Sequence, residues 1–184
     1  MKIGIVVSYI SKNPAGLERY AYELLRHIVQ EGSQHHYIIY TKNKKSLEHL
    51  SFLHSQKNVE LVEVGYGKLW KDIGLFLAPR SDVYLFTGPQ GPLWFHPQKN
   101  ITIAYDFGYK FFEKGIRGKI KNSMIDFYSS RAFSIADFVV CLSKETQKDV
   151  MRYFGISIDK TKVIYPGFNT ICLIPDTELA DCPE

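Results

Sequence analysis

The stretch DFVVCLSKETQKDVMRYFGISIDKTKVIYPG, residues 137–167, settles the class of fold. DFVVCL (137–142) is a short apolar run of the kind found in strands covered on both faces. Ser143 follows as the N-cap of a helix, because its hydroxyl can accept a backbone N–H that the first turn leaves unpaired. Val150, Met151 and Phe154 recur at helical spacing, and Gly155 supplies the left-handed residue that ends the helix. KVIYPG (162–167) is then a second, short strand. Strand, serine and helix in this order invite comparison with a nucleophile elbow, but CLSKE lacks the required G-x-S-x-G. Capping is a sufficient role for Ser143.

The same unit recurs back to the first residue. Ile3–Val7 is a near-continuous apolar run, followed by the polar loop SKNPAG and by Leu17, Tyr20, Ala21, Leu24, Leu25 and Ile28 at helical spacing up to Gly32. HYIIYT (36–41) is a second strand and KKSLEHLSFL a short helix after it. VELVEV (59–64) is a third strand, with residues 68–77 helical until Pro79. DVYLF (82–86) and Ile101–Tyr105 make strands four and five, separated by the Gly- and Pro-rich loop TGPQGPLWFHPQ. A long helix is predicted from about Arg117 to Ala136, with Ile120, Met124, Phe127, Tyr128, Ala132 and Ile135 facing inward. The expectation is one α/β domain, Rossmann-like and doubly wound, with a mainly parallel sheet of about seven strands flanked by helices. It covers residues 1–169, and 170–184 read as a linker or disordered tail. Ligands of such sheets bind beyond the carboxyl ends of the strands, so the loops after Val7, Phe86, Tyr105, Leu142 and Tyr165 share the functional rim.

Composition narrows the function classes. The chain has 184 residues, enough for one well-buried core, and a formal net charge of +4. So mild an excess argues against a nucleic-acid partner, which needs a concentrated basic stripe. Cys141, Cys172 and Cys182 form no C-x-x-C pair, which suggests neither a zinc site nor a disulfide framework and fits a reducing compartment. MKIGIVVSYISKN reads as a first strand and not as a signal peptide, and no segment approaches a membrane span. A cytoplasmic location is expected, with the inner face of the cell membrane as the surface such a protein would meet.

Four places could carry chemistry. In NPAGLERY (13–20), Gly16 lets the backbone approach a ligand at a helix N-terminus, although no G-x-G-x-x-G fingerprint or Walker lysine accompanies it. A standalone nucleotide-dependent oxidoreductase therefore lacks its motif. In ITIAYDFGY (101–109), Asp106 sits at the carboxyl end of a strand, where it either faces a ligand or caps the loop through the backbone donors of Phe107 and Gly108. His96 is the one histidine placed on the rim; none of the six falls in a metal-binding pattern. Finally, Lys99–Lys121 carries six Lys or Arg against two acids. Within it Lys110, Phe111, Phe112, Lys114, Arg117, Lys119 and Lys121 form a basic-aromatic tract suited to an anionic membrane, or equally a solvated helix entry.

Taken in order, KIGIVVS, PAGLERYAYELLRHI, SDVYLFTGP, ITIAYDFGY and ADFVVCLSKETQKDVMRYFGISIDKTKVIYPGFN resemble the N-terminal domain of the retaining GT-B glycosyltransferases of family four. The resemblance spans residues 1 to about 169. It implies transfer of a sugar from a nucleotide-sugar to a glycan or glycolipid acceptor held mainly by this domain, with no cofactor and no metal. By position it puts Gly16 near the donor phosphates, and Arg19 and Tyr20 at the start of the acceptor-facing helix; His96, from its place on the rim, is expected to bind the acceptor as well. Asp106 matches the acid of the family's His-Asp pair, with Tyr105 where the histidine usually stands, so the two are the candidate catalytic pair. A phenol can donate a hydrogen bond to a sugar hydroxyl but cannot reproduce imidazole chemistry. The resemblance also implies a second Rossmann-like domain for the donor, expected as a missing C-terminal domain or a partner chain. The competing expectation is a non-catalytic subunit that docks on a membrane or a partner and completes a split transferase.

Overall fold

The apolar runs form strands β1 (Lys2–Val7), β2 (His36–Thr41), β3 (Val59–Glu63), β4 (Val83–Phe86), β5 (Asn100–Ala104), β6 (Phe138–Cys141) and β7 (Thr161–Val163). This computed structural model describes residues 1–8, 10–42, 50–112 and 115–167, and only the backbone of Ser51, Phe111 and Phe112. The tail 170–184, Lys114 and most of the expected helix in KKSLEHLSFL lie outside the described residues. All pairings are parallel, in the order β3-β2-β1-β4-β5-β6-β7. This is the doubly wound Rossmann-like sheet that the alternation predicts.

Side chains alternate across the sheet, so each central strand feeds two cores. Ile5, Val7, Tyr37 and Ile39 pack with Leu25 and Val29 of helix α1 (Leu17–Glu31). Val6, Ile38 and Tyr40 pack on the opposite face with Trp70, Leu75, Tyr84, Phe86 and Phe95. Two aspartates fix the strand starts. Asp82 Oδ2 accepts the Lys2 N–H at 2.7 Å, and Asp137 Oδ2 accepts the Asn100 N–H at 2.7 Å. In each pair the aspartate's own N–H returns a bond to the same residue's carbonyl, at 2.9 and 3.0 Å. A one-residue slip would break both bonds and turn every buried side chain to the wrong face.

The remaining helices are the single turn α2 (Tyr109–Phe112), α3 (Ile116–Ile135) and α4 (Lys144–Phe154). Ser143 caps α4, its side chain accepting the Thr146 N–H at 3.0 Å, and Gly155 ends it at φ 66°. Two expectations need correction. Residues 68–77 are not one helix but a 3-10 turn (Gly67–Leu69), a π-turn (Trp70–Gly74) and a closing α-turn (Leu75–Leu77). The inward face of α3 is also different. Ser129, Ala132 and Phe133 are buried, while Ile120, Met124 and Phe127 are 58%, 55% and 63% exposed. The helix carries apolar residues on two faces, and only the small-residue face of its second half reaches the sheet side, where a Cβ on Gly91 would stand 3.0 Å from Ala132 Cβ.

Gly4 marks the tightest place in the sheet. A Cβ there would lie 2.7 Å from both the Tyr40 ring and Ser81 Oγ. The Tyr40 ring cannot yield, because it stacks on Tyr84 at 5.8 Å and its hydroxyl donates to the Pro79 carbonyl. Gly4→Ala is expected to destabilise the domain by about 1–3 kcal/mol through overpacking. Urea unfolding should show a lower midpoint at an unchanged slope.

Candidate functional site

The strand order reverses beside β1, with β2 on one side and β4 on the other, and ligands of such sheets bind at that switch point. A cavity of about 210 Å³ lies there. Ser8 after β1, Glu18 in the first turn of α1, Lys71 in the π-turn, Thr87 and Gly88 after β4, and Tyr105 after β5 contribute to its walls. Three of the rim loops that the sequence predicts therefore meet in one cleft.

Tyr105 closes the floor. It is 7% exposed and its hydroxyl donates to the Thr87 carbonyl. Thr87 in turn gives both its N–H and its hydroxyl to the Val6 carbonyl, at 3.2 and 3.0 Å. Tyr20 of α1 meets the Tyr105 ring edge-on at 5.9 Å. Burial, and secondarily the neighbouring Tyr20, raise the Tyr105 pKa well above the ordinary phenol value, so it stays protonated. The phenol's hydrogen is already used, and what remains toward the cavity is oxygen lone pairs.

Asp106, one residue on, is exposed, and its Oδ1 accepts the Gly108 N–H at 3.0 Å. That is the loop-capping bond, and it leaves the second carboxylate oxygen toward solvent. Gly16 is the N-cap of α1 at φ 53°, a backbone state that favours glycine, and no side chain caps the helix there. Glu18 reaches back instead, and its Oε2 accepts the Ser11 hydroxyl at 2.5 Å and the Ser11 N–H at 3.1 Å. Arg19 is exposed, one residue before Tyr20. His96 is exposed too and bonds the Arg131 guanidinium at 2.5 Å. Tyr105 and the turn that follows Gly16 thus come together, while Asp106 and His96 stand apart from the cavity wall.

The π-turn contributes two residues with no motif to announce them. Asp72 is buried, and its Oδ1 accepts the N–H groups of Leu93, Trp94 and Phe95 at 2.7, 2.5 and 3.2 Å. This bolts the Gly- and Pro-rich loop down, and Arg131 fixes it from the other side by donating Nε–H to the Leu93 carbonyl at 3.1 Å. Lys71 donates to the Gln90 carbonyl and lies 5.4 Å from the Trp70 ring centre. Its burial pulls the ammonium pKa down to about 8, with Asp72 opposing the shift. The one signal in the sequence is indirect: a loop of that length presents backbone donors that need an acceptor.

The basic-aromatic tract divides. Lys110 turns inward, its Nζ 2.6 Å from both Asp126 oxygens and 4.8 Å from the Tyr153 ring centre. Arg117, Lys119 and Lys121 are exposed on the first turns of α3. The side chains of Phe111 and Phe112, and all of Lys114, lie outside what the structure describes. Beside these cations runs an open groove of about 450 Å³, lined by Lys119, Ile120, Ser123, Met124, Phe127 and Tyr128. Among the described residues no helix is long and apolar enough to cross a membrane, and no three His, Cys, Asp or Glu side chains cluster as a metal site would need.

The sequence model of Glycosyltransferase Family 4 matches residues 14–171. Among solved structures, Anabaena Alr3699/HepE in complex with UDP has the same fold, with a TM-score of 0.59 and 14% identity over 93% of this chain. The chain spans 45% of the length of that protein. No curated protein matches it.

Tyr105→Phe is expected to cost about 1–3 kcal/mol of stability, because it leaves the buried Thr87 carbonyl without its donor. Equilibrium urea unfolding measures this, and an unchanged midpoint would mean that water replaces the hydroxyl.

Proposed function

We propose that this chain, which belongs to glycosyltransferase family 4, is the acceptor-side domain of a retaining enzyme moving a sugar from a nucleotide-sugar to a glycan or glycolipid. The observation that carries this reading is the family match over residues 14–171, laid on a sheet whose switch point holds a cleft with Ser8, Glu18, Lys71, Thr87, Gln90 and Tyr105 in its walls. The donor would be held by a second domain or a partner chain, with the Gly16 turn near its phosphates. The acceptor oxygen bonds the anomeric carbon as the bond to the diphosphate breaks; the diphosphate leaves with that electron pair and takes up the acceptor's proton, and the reading invokes no cofactor or metal. In this reading the free oxygen of Asp106 and the lone pairs of Tyr105 accept hydrogen bonds from acceptor hydroxyls and aim one at the anomeric carbon. Arg19, Tyr20 and His96 would border the acceptor path.

Transfer should be assayed with the donor domain present, over a panel of nucleotide-sugars. Loss of a charge-assisted bond in Asp106→Ala is expected to lower kcat/KM about ten- to a hundred-fold. If Asp106→Ala and Tyr105→Phe both transferred normally, Asp106 would be a loop cap alone. Tight saturable binding of a nucleotide-sugar to residues 1–184 by themselves would remove the reason for placing the donor site elsewhere.

One observation favours a second role, docking at an anionic membrane at the inner face of the cell. Ile116, Ile120, Met124 and Phe127 lie along one side of α3 and are 79%, 58%, 55% and 63% exposed, beside Arg117 and Lys119. Apolar insertion flanked by cations is the pattern of an interfacial helix. Co-sedimentation with phosphatidylglycerol vesicles should exceed that with phosphatidylcholine, each cation contributing on the order of 1 kcal/mol. The pair Ile120→Asp and Phe127→Asp should abolish it; equal binding by that variant would dismiss the helix as a membrane contact.

A further inference from the structure

Lys71 has no part in the roles assigned so far, yet it stands in the cleft wall with no directly paired carboxylate among the described residues. Its hydrogen-bond acceptor is a neutral carbonyl, that of Gln90, and no carboxylate of the described residues forms an ion pair with it. The two nearby acids are otherwise engaged. Asp72 serves the backbone of residues 93–95, and Glu18 Oε2 serves Ser11. Asp72 still favours the Lys71 ammonium from its place under the loop, but burial outweighs it, and a cation drawn partly out of water without a direct ion pair is the kind of group to which a ligand can supply a partner. Lys71 also sits in a one-turn π-segment, a distortion frequent at functional sites.

The size of the cleft limits the ligand. At about 210 Å³ it falls below the ~300–1,000 Å³ of pockets that take drug-sized molecules, which suits one sugar ring and not a whole nucleotide-sugar. Ser8, Thr87, Gln90 and Tyr105 supply hydroxyl and amide groups that match sugar hydroxyls. We propose that the switch-point cleft is a subsite for one acidic sugar unit of the acceptor, whose carboxylate or phosphate is held by the Lys71 ammonium. This rests on the acceptor-side reading above.

Binding is read directly, without transfer, so the subsite can fail while the transferase reading stands, and the reverse. Calorimetry with D-glucuronate, glucose 1-phosphate, D-glucose and UDP would compare the wild type with Lys71→Met and Lys71→Arg. One or both anionic sugars should bind at least about tenfold tighter than glucose, an ion-paired hydrogen bond being worth about that factor. Response to glucuronate alone identifies a uronic acid, and response to glucose 1-phosphate alone a glycosyl phosphate. Lys71→Met, which keeps the stem, should erase the preference and Lys71→Arg keep it. The preference should also fade as pH rises through about 8, where the ammonium loses its proton while Tyr105 stays protonated. A preference that survives in Lys71→Met, or no preference for either anion, overturns the proposal. So does displacement of the probe by UDP, which would give the charge to the donor's phosphates.

Discussion

The bond from the Tyr105 hydroxyl to the Thr87 carbonyl holds together the place where the sheet changes direction. A parallel sheet leaves the last carbonyls of its strands without ladder partners, and at a switch point no crossover helix covers them. Here Val6 at the end of β1 receives two bonds from Thr87, and Thr87 beyond β4 receives one from Tyr105 beyond β5. Tyr20 then ties the ring to α1. Buried bonds of this kind gain from the low dielectric and are costly to leave half-made, so the three strand ends and the helix hold one another in position.

A second constraint acts on the loop that roofs the cleft. TGPQGPLWFHPQ cannot build a ladder or a helix of its own, so its backbone donors must be met from outside. Asp72 meets three of them and Arg131 takes a carbonyl. Spending Asp72 in this way has an electrostatic consequence. The adjacent Lys71 is left without a direct ion pair among the described residues and donates to the neutral Gln90 carbonyl in the cleft wall. The same economy governs Lys110, but with the opposite result: Asp126 and three aromatic rings take its charge out of the surface.

The strands and the α4 caps were legible because their determinants are local. A run such as HYIIYT needs only its neighbours to be a strand, and Ser143 and Gly155 act within a turn of themselves. The π-turn was not legible, since KLWKDIGLF has ordinary helical spacing and the distortion follows from where Trp70 and Asp72 must point. Asp72 pairs with backbone more than twenty residues away, which no local pattern encodes. The facing of α3 failed for another reason. Its apolar residues form two stripes, and periodicity cannot choose between them. The buried stripe is that of Ser129, Ala132 and Phe133, where Ala132 is small enough for the loop at Gly91 to come close. At the cleft, the sequence singled out the rim loops and Tyr105, which line it, but not Lys71, which lines it too.

The phenol at position 105 changes the kind of chemistry the cleft can offer. An imidazole there would titrate near neutrality and could exchange a proton with a substrate. The tyrosine is buried and raised, so it stays neutral at every pH at which the cleft would work. Its hydrogen belongs to Thr87, which makes it an acceptor and a spacer. Proton movement in this cleft therefore cannot depend on residue 105. The groups left to carry charge are Asp106 on the rim, Glu18 on one wall and Lys71 on the other. Burial brings the Lys71 ammonium pKa down to about 8. With a phenol that stays protonated on its floor, the cleft has its pH sensitivity on its wall, at the Lys71 ammonium.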